Sequence, residues 1–110
     1  MINLNGKKFR AKKNSENGEI CGATIFHYFQ DGEKIWGEYF GGKIEFGILA
    51  GRAKNGAIEF NYWHFCEKKF RAGCCVSTPE ILANGKICLH EKWQWTAGEK
   101  GGGESIIEEI

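Results

Sequence analysis

The sequence predicts an all-β fold, an eight-stranded antiparallel up-and-down barrel. Three observations support this prediction. Apolar and polar side chains alternate along most of the chain, which is the period of a half-buried strand. The 16 glycines, which form no low-complexity run, supply many tight turns, and the single proline interrupts few strands. The first and last predicted strands also carry opposite charges, as a barrel that closes between them would require.

The alternation predicts eight strands joined in sequence by short connections. They cover residues 7–14, 19–31, 33–41, 43–52, 57–67, 69–78, 86–97 and 103–110. Asp31-Gly32, Gly41-Gly42 and Asn55-Gly56 are typical hairpin turns, because these residue types tolerate positive φ. Longer polar turns are expected at 14–18 and 98–103, and the longest connection at 78–85. A meander of this kind removes its exposed edges by closing, so we expect one domain over residues 1–110.

The alternation also predicts which side chains face the interior, most clearly in the strand 57–67. The predicted inward residues, taken strand by strand, are Phe9 and Ala11; Thr24, Phe26, Tyr28 and Gln30; Ile35, Gly37 and Tyr39; Ile44, Phe46, Ile48 and Ala50; Ile58, Phe60, Tyr62, His64 and Cys66; Phe70, Ala72, Cys74 and Val76; Ile87, Leu89, Glu91, Trp93 and Trp95.

Charge at the chain ends favours closure of the barrel. The first strand is basic and the last is acidic, so their side chains would be complementary across a closing seam. The residues concerned are Lys7, Lys8, Arg10, Lys12 and Lys13 on one strand and Glu104, Glu108 and Glu109 on the other. The alternative is that both strands are solvated edges of an open sheet.

Composition excludes several classes of function. A formal net charge of +1 argues against nucleic-acid binding, which usually needs a concentrated basic surface. No stretch resembles a secretion signal or the roughly 20 apolar residues of a membrane helix. The five cysteines are an odd number and, without a secretion signal, indicate reduced thiols. We therefore expect a cytoplasmic protein that has neither a nucleic-acid nor a membrane partner.

Aromatic and polar side chains are predicted to gather at one end of the barrel. Because neighbouring strands run in opposite directions, this end would bring together Tyr39, Tyr62, His64, Glu91, Trp93 and Trp95. Aromatic walls with a few convergent polar groups are typical of a pocket for a small, partly apolar ligand. The alternative is that the rings fill the lumen and that His64 and Glu91 form a structural hydrogen bond. The opposite end is aliphatic, and Ile81 and Leu82 are expected to plug it.

Catalytic and metal chemistry are less well supported. A third hypothesis is a small enzyme that uses His64 and Glu91 in acid–base catalysis. A metal site could be drawn from His64, Cys66 and Cys74, but their spacing matches no paired C-x-x-C pattern. We therefore predict no metal site and no cofactor.

A second surface is predicted on the outside of the third to fifth strands. Its apolar side chains are Trp36, Phe40, Leu49, Trp63 and Phe65. Apolar patches of this size often mark an interface, so the second hypothesis is an interaction module that forms a homodimer here. The alternative is that these rings cover the bare backbone of Gly47 and Gly51.

Several segments resemble a group of short bacterial proteins commonly labelled N-acetylglutamate synthase. They are Asn14–Glu19 (NSENGE), Thr24–Tyr28 (TIFHY), Gly41–Gly47 (GGKIEFG), Ser77–Thr96 (STPEILANGKICLHEKWQWT) and Ser105–Ile110 (SIIEEI). The resemblance implies a bacterial source, and such proteins also occur on mobile gene cassettes. The label would imply acetyl transfer from acetyl-CoA, but neither Gln30–Gly32 nor Gln94–Gly98 has the Q/R-x-x-G-x-G/A spacing of that chemistry. The architecture is more similar to the calycin group of small ligand-binding barrels.

Overall fold

The chain folds into a closed barrel of eight antiparallel strands, in which each strand pairs with its neighbours in sequence and the last returns to the first. The computed structural model describes residues 2–16 and 18–110. The strands are β1 (Lys8–Asn14), β2 (Ile25–Asp31), β3 (Lys34–Gly41), β4 (Ile44–Lys54), β5 (Ala57–Cys66), β6 (Lys69–Ile81), β7 (Ile87–Ala97) and β8 (Gly102–Glu109). The predicted fold class is confirmed. In the part of the chain described, no helix has the length and hydropathy needed to span a membrane.

The barrel closes between β1 and β8, as the end charges predicted. Lys7 Nζ lies 3.3 Å from Glu109 Oε2, and Lys12 Nζ lies 3.0 Å from Glu108 Oε2. These pairs are partly or fully exposed and add little stability individually, but they favour this strand pairing over like-charged alternatives.

Two hairpins show how short turns set the register. Asn55 and Gly56 have φ of 53° and 77°, the positive values expected for an Asn-Gly turn between β4 and β5. Glu67 and Lys68 adopt φ of 51° and 68° in the β5–β6 turn without any glycine, so no turn dipeptide indicated this hairpin.

The second strand is shorter than predicted. It begins at Ile25 rather than at 19, and the residues before it form a loop that crosses one end of the barrel. Asn17, which belonged to the predicted turn at 14–18, lies outside the described residues. The shorter strand leaves Glu19 free of the sheet, and this matters for the site below.

The predicted inward face of β4 is correct only at Ile44. A β-bulge follows this residue, because Ile44 pairs with Cys66 whereas Phe46 pairs with Phe65. The extra residue reverses the alternation. Phe46, Ile48 and Ala50 therefore face outward and are exposed, whereas Leu49, which was predicted on the outer surface, is only 2% exposed.

The predicted inward face of β6 is wrong along the whole strand, for a different reason. The pairing of β6 with β5 contains no bulge and sets Phe70, Ala72, Cys74 and Val76 opposite outward residues of β5, whereas Cys75 and Ser77 face the interior. Phe70 also lies outside and is 46% exposed. The strand continues through Pro79 to Ile81, so the connection predicted at 78–85 is shorter than expected.

The end of the barrel opposite the aromatic cluster is closed by the N-terminal segment. Leu4 is 1% exposed, and its backbone N–H donates to Gln30 Oε1 at the end of β2. Ile81, which was predicted to plug this end with Leu82, is 62% exposed. The described part of the N-terminal segment therefore seals this end of the barrel, and a ligand would approach the interior from the other end.

Candidate ligand-binding site

The six residues predicted to form a pocket all line one cavity at the unsealed end of the barrel. They are Tyr39, Tyr62, His64, Glu91, Trp93 and Trp95, and each is less than 9% exposed. Buried and exposed residues alternate from Ile58 to Cys66 in β5 and from Leu89 to Trp95 in β7, so these segments direct every second side chain inward. The lining residues that sequence reasoning did not assign to the pocket include Asn14, Glu19, Ile20, Leu49, Cys75 and Ser105.

Glu91 is the deepest ionisable group in the cavity. It lies between Ser77 on β6 and Ser105 on β8 in the strand register, and Ser105 Oγ donates to Glu91 Oε1 at 3.0 Å. Burial raises the pKa of this carboxyl to about 7, although the two serine hydroxyls oppose the rise. Near neutral pH, Glu91 therefore exchanges between its protonated and ionised forms.

His64 does not pair with Glu91, so the alternative of a structural hydrogen bond between them is wrong. Its two nitrogens have other partners: Nδ1 lies 2.8 Å from the Tyr39 hydroxyl and Nε2 lies 2.7 Å from Glu19 Oε1. Desolvation lowers the pKa of His64, although the contact with Glu19 opposes this effect. The lowered pKa favours the neutral ring. A neutral ring that donates from Nε2 to a carboxylate must accept at Nδ1, so the Tyr39 hydroxyl donates there.

Glu19 fastens the β1–β2 loop over the cavity. Its Oε1 accepts from His64, and its Oε2 accepts from Arg71 Nε at 3.1 Å. Partial burial acts to raise the pKa of Glu19, but the hydrogen bonds from His64 and Arg71 outweigh this effect and lower it. Arg71 Nη1 in turn donates to the Gly98 carbonyl at 2.8 Å, so the loop is connected to the β7–β8 turn.

Aromatic rings occupy most of the lumen. Trp93 and Trp95 are 5.2 Å apart between ring centroids, and Trp95 also lies 5.8 Å from Tyr62. A Cβ on Gly47 would lie 2.4 Å from the Tyr39 ring, and one on Gly73 would lie 2.2 Å from the Tyr62 hydroxyl. These glycines therefore make room for the tyrosines. The remaining cavity is about 50 Å³, enough for a few water molecules or a small chemical group.

A family model described as "Avidin-like protein" matches residues 2–110, which is nearly the whole chain. The chain belongs to the avidin-like family. Comparison with curated proteins gave no significant match. The resemblance to short bacterial proteins labelled N-acetylglutamate synthase stays a prediction.

Several buried polar atoms of this avidin-like barrel lack a hydrogen-bond partner within the described part of the chain. Three belong to residues that line the cavity: Asn14 Oδ1, Glu91 Oε2 and Trp95 Nε1. Ser77 Oγ forms no hydrogen bond of ordinary geometry either, although it lies near enough to Glu91 to oppose the rise of its pKa. Buried polar groups are nearly always hydrogen-bonded in folded proteins, because an unpaired group loses its hydration without compensation. A group of such atoms beside a cavity is a general feature of sites that bind a polar molecule.

The outer apolar surface contains four of the five predicted residues and three that were predicted inward. Trp36, Phe40, Trp63 and Phe65 are exposed, whereas Leu49 lies in the core. Phe46 and Ile48, which follow the bulge in β4, and Phe70 on β6 lie on the same side, where they form a shallow groove with Trp63 and Phe65. We call the seven exposed side chains the outer aromatic surface.

His64, Cys66 and Cys74, which the sequence analysis considered as possible metal ligands, do not face one another. His64 and Cys66 face inward on β5, whereas Cys74 is exposed on the outer face of β6. Burial raises the pKa of the Cys66 thiol to about 11, so this thiol stays protonated at neutral pH.

Proposed function

We propose that this avidin-like barrel binds a small, partly apolar molecule whose polar head enters the cavity beside Glu91. The observation that carries the proposal is the buried carboxylate with its unpartnered Oε2, in a cavity with several aromatic walls. Membership of the avidin-like family supports a small-molecule ligand, for which biotin is the family's example.

The unpartnered atoms indicate what the head group must offer. Ionised Glu91 accepts hydrogen bonds at Oε2, and Trp95 Nε1 donates one. A group that combines an N–H with a C=O, such as an amide or a cyclic urea, satisfies both residues. The apolar part of the ligand would then contact the indole of Trp93 and the ring of Tyr62.

The small size of the cavity makes the β1–β2 loop part of the proposed function. About 50 Å³ holds only a compact head group, so a larger molecule requires the loop to move. Glu19 holds that loop to His64 and Arg71, and Ile20 lies over the cavity beside it. We infer that ligand entry exchanges these loop contacts for ligand contacts.

Ligand binding is tested with biotin and a library of small amides and cyclic ureas, first by thermal shift and then by calorimetry at about pH 8, where Glu91 is ionised. For a compound that binds, Glu91→Gln should weaken the affinity about tenfold or more, because a hydrogen bond to a charged group contributes about 1.5–3 kcal/mol. Trp95→Phe, which keeps a ring but removes the N–H, should weaken it as well.

The control is Glu59→Gln, which alters an exposed carboxylate on the outer face of β5. It should leave the affinity unchanged. The proposal is contradicted if no compound in the library binds, or if a compound binds equally well to wild type, Glu91→Gln and Trp95→Phe.

A second candidate function is self-association, which the outer aromatic surface favours. Seven large apolar side chains on adjacent strands are between 37% and 54% exposed. Contiguous apolar patches of this kind are uncommon on monomers. We propose that two copies pack this surface against each other as a cytoplasmic homodimer. The five free cysteines support a reducing compartment.

Sedimentation velocity of wild type and Trp63→Lys tests the homodimer. Trp63 lies near the middle of the surface, and loss of a central aromatic anchor typically costs about 2 kcal/mol or more, which is about a 30-fold weaker dimer. Val76→Lys, an exposed apolar position outside this surface, should still dimerise. A wild type that remains monomeric at high micromolar concentration rules the dimer out.

A further inference from the structure

Three side chains with different metal-binding chemistry meet on the outer face of β6 and β7. Cys88 and His90 are two positions apart on β7, and Glu80 is directly opposite Cys88 on β6. Cys88 Sγ lies 3.8 Å from His90 Nε2, which lies 2.7 Å from Glu80 Oε1. The cluster adjoins the β6–β7 hairpin, at the sealed end of the barrel and away from the proposed ligand cavity.

We propose that Glu80, Cys88 and His90 form a binding site for a divalent transition-metal ion of the zinc type. One candidate ligand atom from each residue lies within 4.8 Å of the other two. Thiolate, imidazole and carboxylate are the three side-chain ligands that Zn²⁺ prefers, and their combination favours Zn²⁺ over Mg²⁺ or Ca²⁺, which take oxygen ligands.

The distances fit a tetrahedral ion after a small movement of one side chain. Ordinary Zn–S, Zn–N and Zn–O bond lengths place the ligand atoms of a tetrahedral site roughly 3.3–3.6 Å apart. The Sγ–Nε2 distance of 3.8 Å is close to this range, whereas the Nε2–Oε1 distance of 2.7 Å is that of a hydrogen bond. Glu80 is exposed at the end of its strand, so its carboxylate can move outward to admit the ion.

The environment of Cys88 supplies negative charge for a cation. Glu108 is opposite Cys88 on β8 but forms an ion pair with Lys12, so the fourth position at the ion is left to water. Burial, followed by the charges of Glu80 and Glu108, raises the pKa of the Cys88 thiol, so the metal-free thiol keeps its proton. Binding forms the sulfur–metal bond and releases this proton to solvent, with no change of oxidation state.

An ordinary surface hydrogen bond between His90 and Glu80 is the simpler explanation of part of this cluster. It does not account for the thiol. Cys88 is on the outer face of β7 but is only 5% exposed, whereas His90 and Lys92 on the same face are exposed. The sequence did not reveal the site because its residues come from two strands and follow no C-x-x-C pattern.

Metal titration of the reduced full-length protein tests the site. Zn²⁺ added in competition with a chromophoric chelator should bind with a stoichiometry of one ion per chain. Co²⁺ should produce the charge-transfer absorption of a thiolate ligand. Cys88→Ser should abolish that absorption, and His90→Gln should weaken Zn²⁺ binding more than the roughly 10–100-fold that follows loss of an outer-shell partner.

The matched controls are Cys74→Ser, an exposed thiol on β6, and His27→Gln, a histidine on β2. Both should bind Zn²⁺ and Co²⁺ as wild type does. His90 is exposed, so His90→Gln leaves the core intact and decides the test by itself if Cys88→Ser does not fold. Zn²⁺ affinity that His90→Gln leaves unchanged, or a cobalt spectrum without a thiolate band, would overturn the proposal.

Discussion

Glu91→Gln is expected to stabilise the barrel by about 3 kcal/mol above pH 7 and to have almost no effect below about pH 4.5. Glutamine has the shape of the protonated carboxyl and carries no charge. The carboxyl is 6% exposed, and burial raises its pKa from an ordinary value of 4.5 to about 7. Between about pH 4.5 and pH 7, the native state of the wild type therefore retains a proton that the unfolded state has already lost.

The sign of the pH dependence follows from that difference in proton binding. Below about pH 4.5 both states are protonated at this position, and the contribution of Glu91 to stability is at its maximum. As the pH rises to about 7, only the unfolded chain ionises, so the free energy of unfolding falls by about 1.4 kcal/mol per pH unit. Above about pH 7 both states are ionised and the loss is complete.

Urea unfolding of wild type and Glu91→Gln at several pH values between 4 and 9 measures this effect. The free energies of unfolding of the two proteins must be compared at each pH, because the pKa shift of Glu19 changes stability with pH in the opposite direction. Its lowered pKa adds stability at neutral pH that is lost as the pH falls. Glu59→Gln should differ from wild type by a small amount that does not vary with pH. A Glu91→Gln difference that is also independent of pH would show that Glu91 titrates normally.

The sequence was sufficient for the fold and for the deepest part of the candidate site. The period-2 spacing of apolar residues such as Ile58 and Phe60 in β5 and of Leu89, Trp93 and Trp95 in β7 defined one face of each strand. His64 and Glu91 could then be assigned to the interior from spacing alone. Strand direction then placed them at one end of the barrel. Neither step needed information about side-chain contacts.

The faces of β4 and β6 could not be predicted, because a bulge shifts the alternation of β4 and because the outward residues of β6 are more apolar than its inward ones. In β4 the outward residues Phe46 and Ile48 are more apolar than the inward ones, which are two glycines and Leu49. The pattern of hydrophobic residues therefore predicted the wrong inward face for β4. The available signal was glycine itself: Gly47 faces the Tyr39 ring, and a strand opposite large inward rings needs positions without a side chain.

Glu19 was missed because its role depends on a loop. It lies in a segment that the sequence predicted as strand, and its contacts with His64 and Arg71 join residues 45 and 52 positions apart. Alternation cannot predict such contacts. The observation that could have warned of the loop was Gly22, since an interior glycine weakens a strand assignment.

Leu49→Ala is expected to destabilise the barrel by about 2–5 kcal/mol, whereas Ile48→Ala should cost about 1 kcal/mol or less. Leu49 is 2% exposed and lines the cavity, so its truncation removes buried apolar contacts and enlarges a space of about 50 Å³. Ile48 is 43% exposed on the outer aromatic surface, where its side chain is already partly hydrated. The bulge after Ile44 determines that Leu49, rather than Ile48, faces the core.

Urea unfolding of both variants at two protein concentrations separates packing from association. Loss of core contacts at Leu49 lowers the free energy of unfolding equally at both concentrations. An effect of Ile48→Ala through a dimer grows with concentration, because association stabilises only the folded chain. If Ile48→Ala were the more damaging change at the lower concentration, the alternation of β4 would be unbroken. Phe46 and Ala50 would then also belong to the core, and Leu49 to the surface, as the pattern of hydrophobic residues alone suggests.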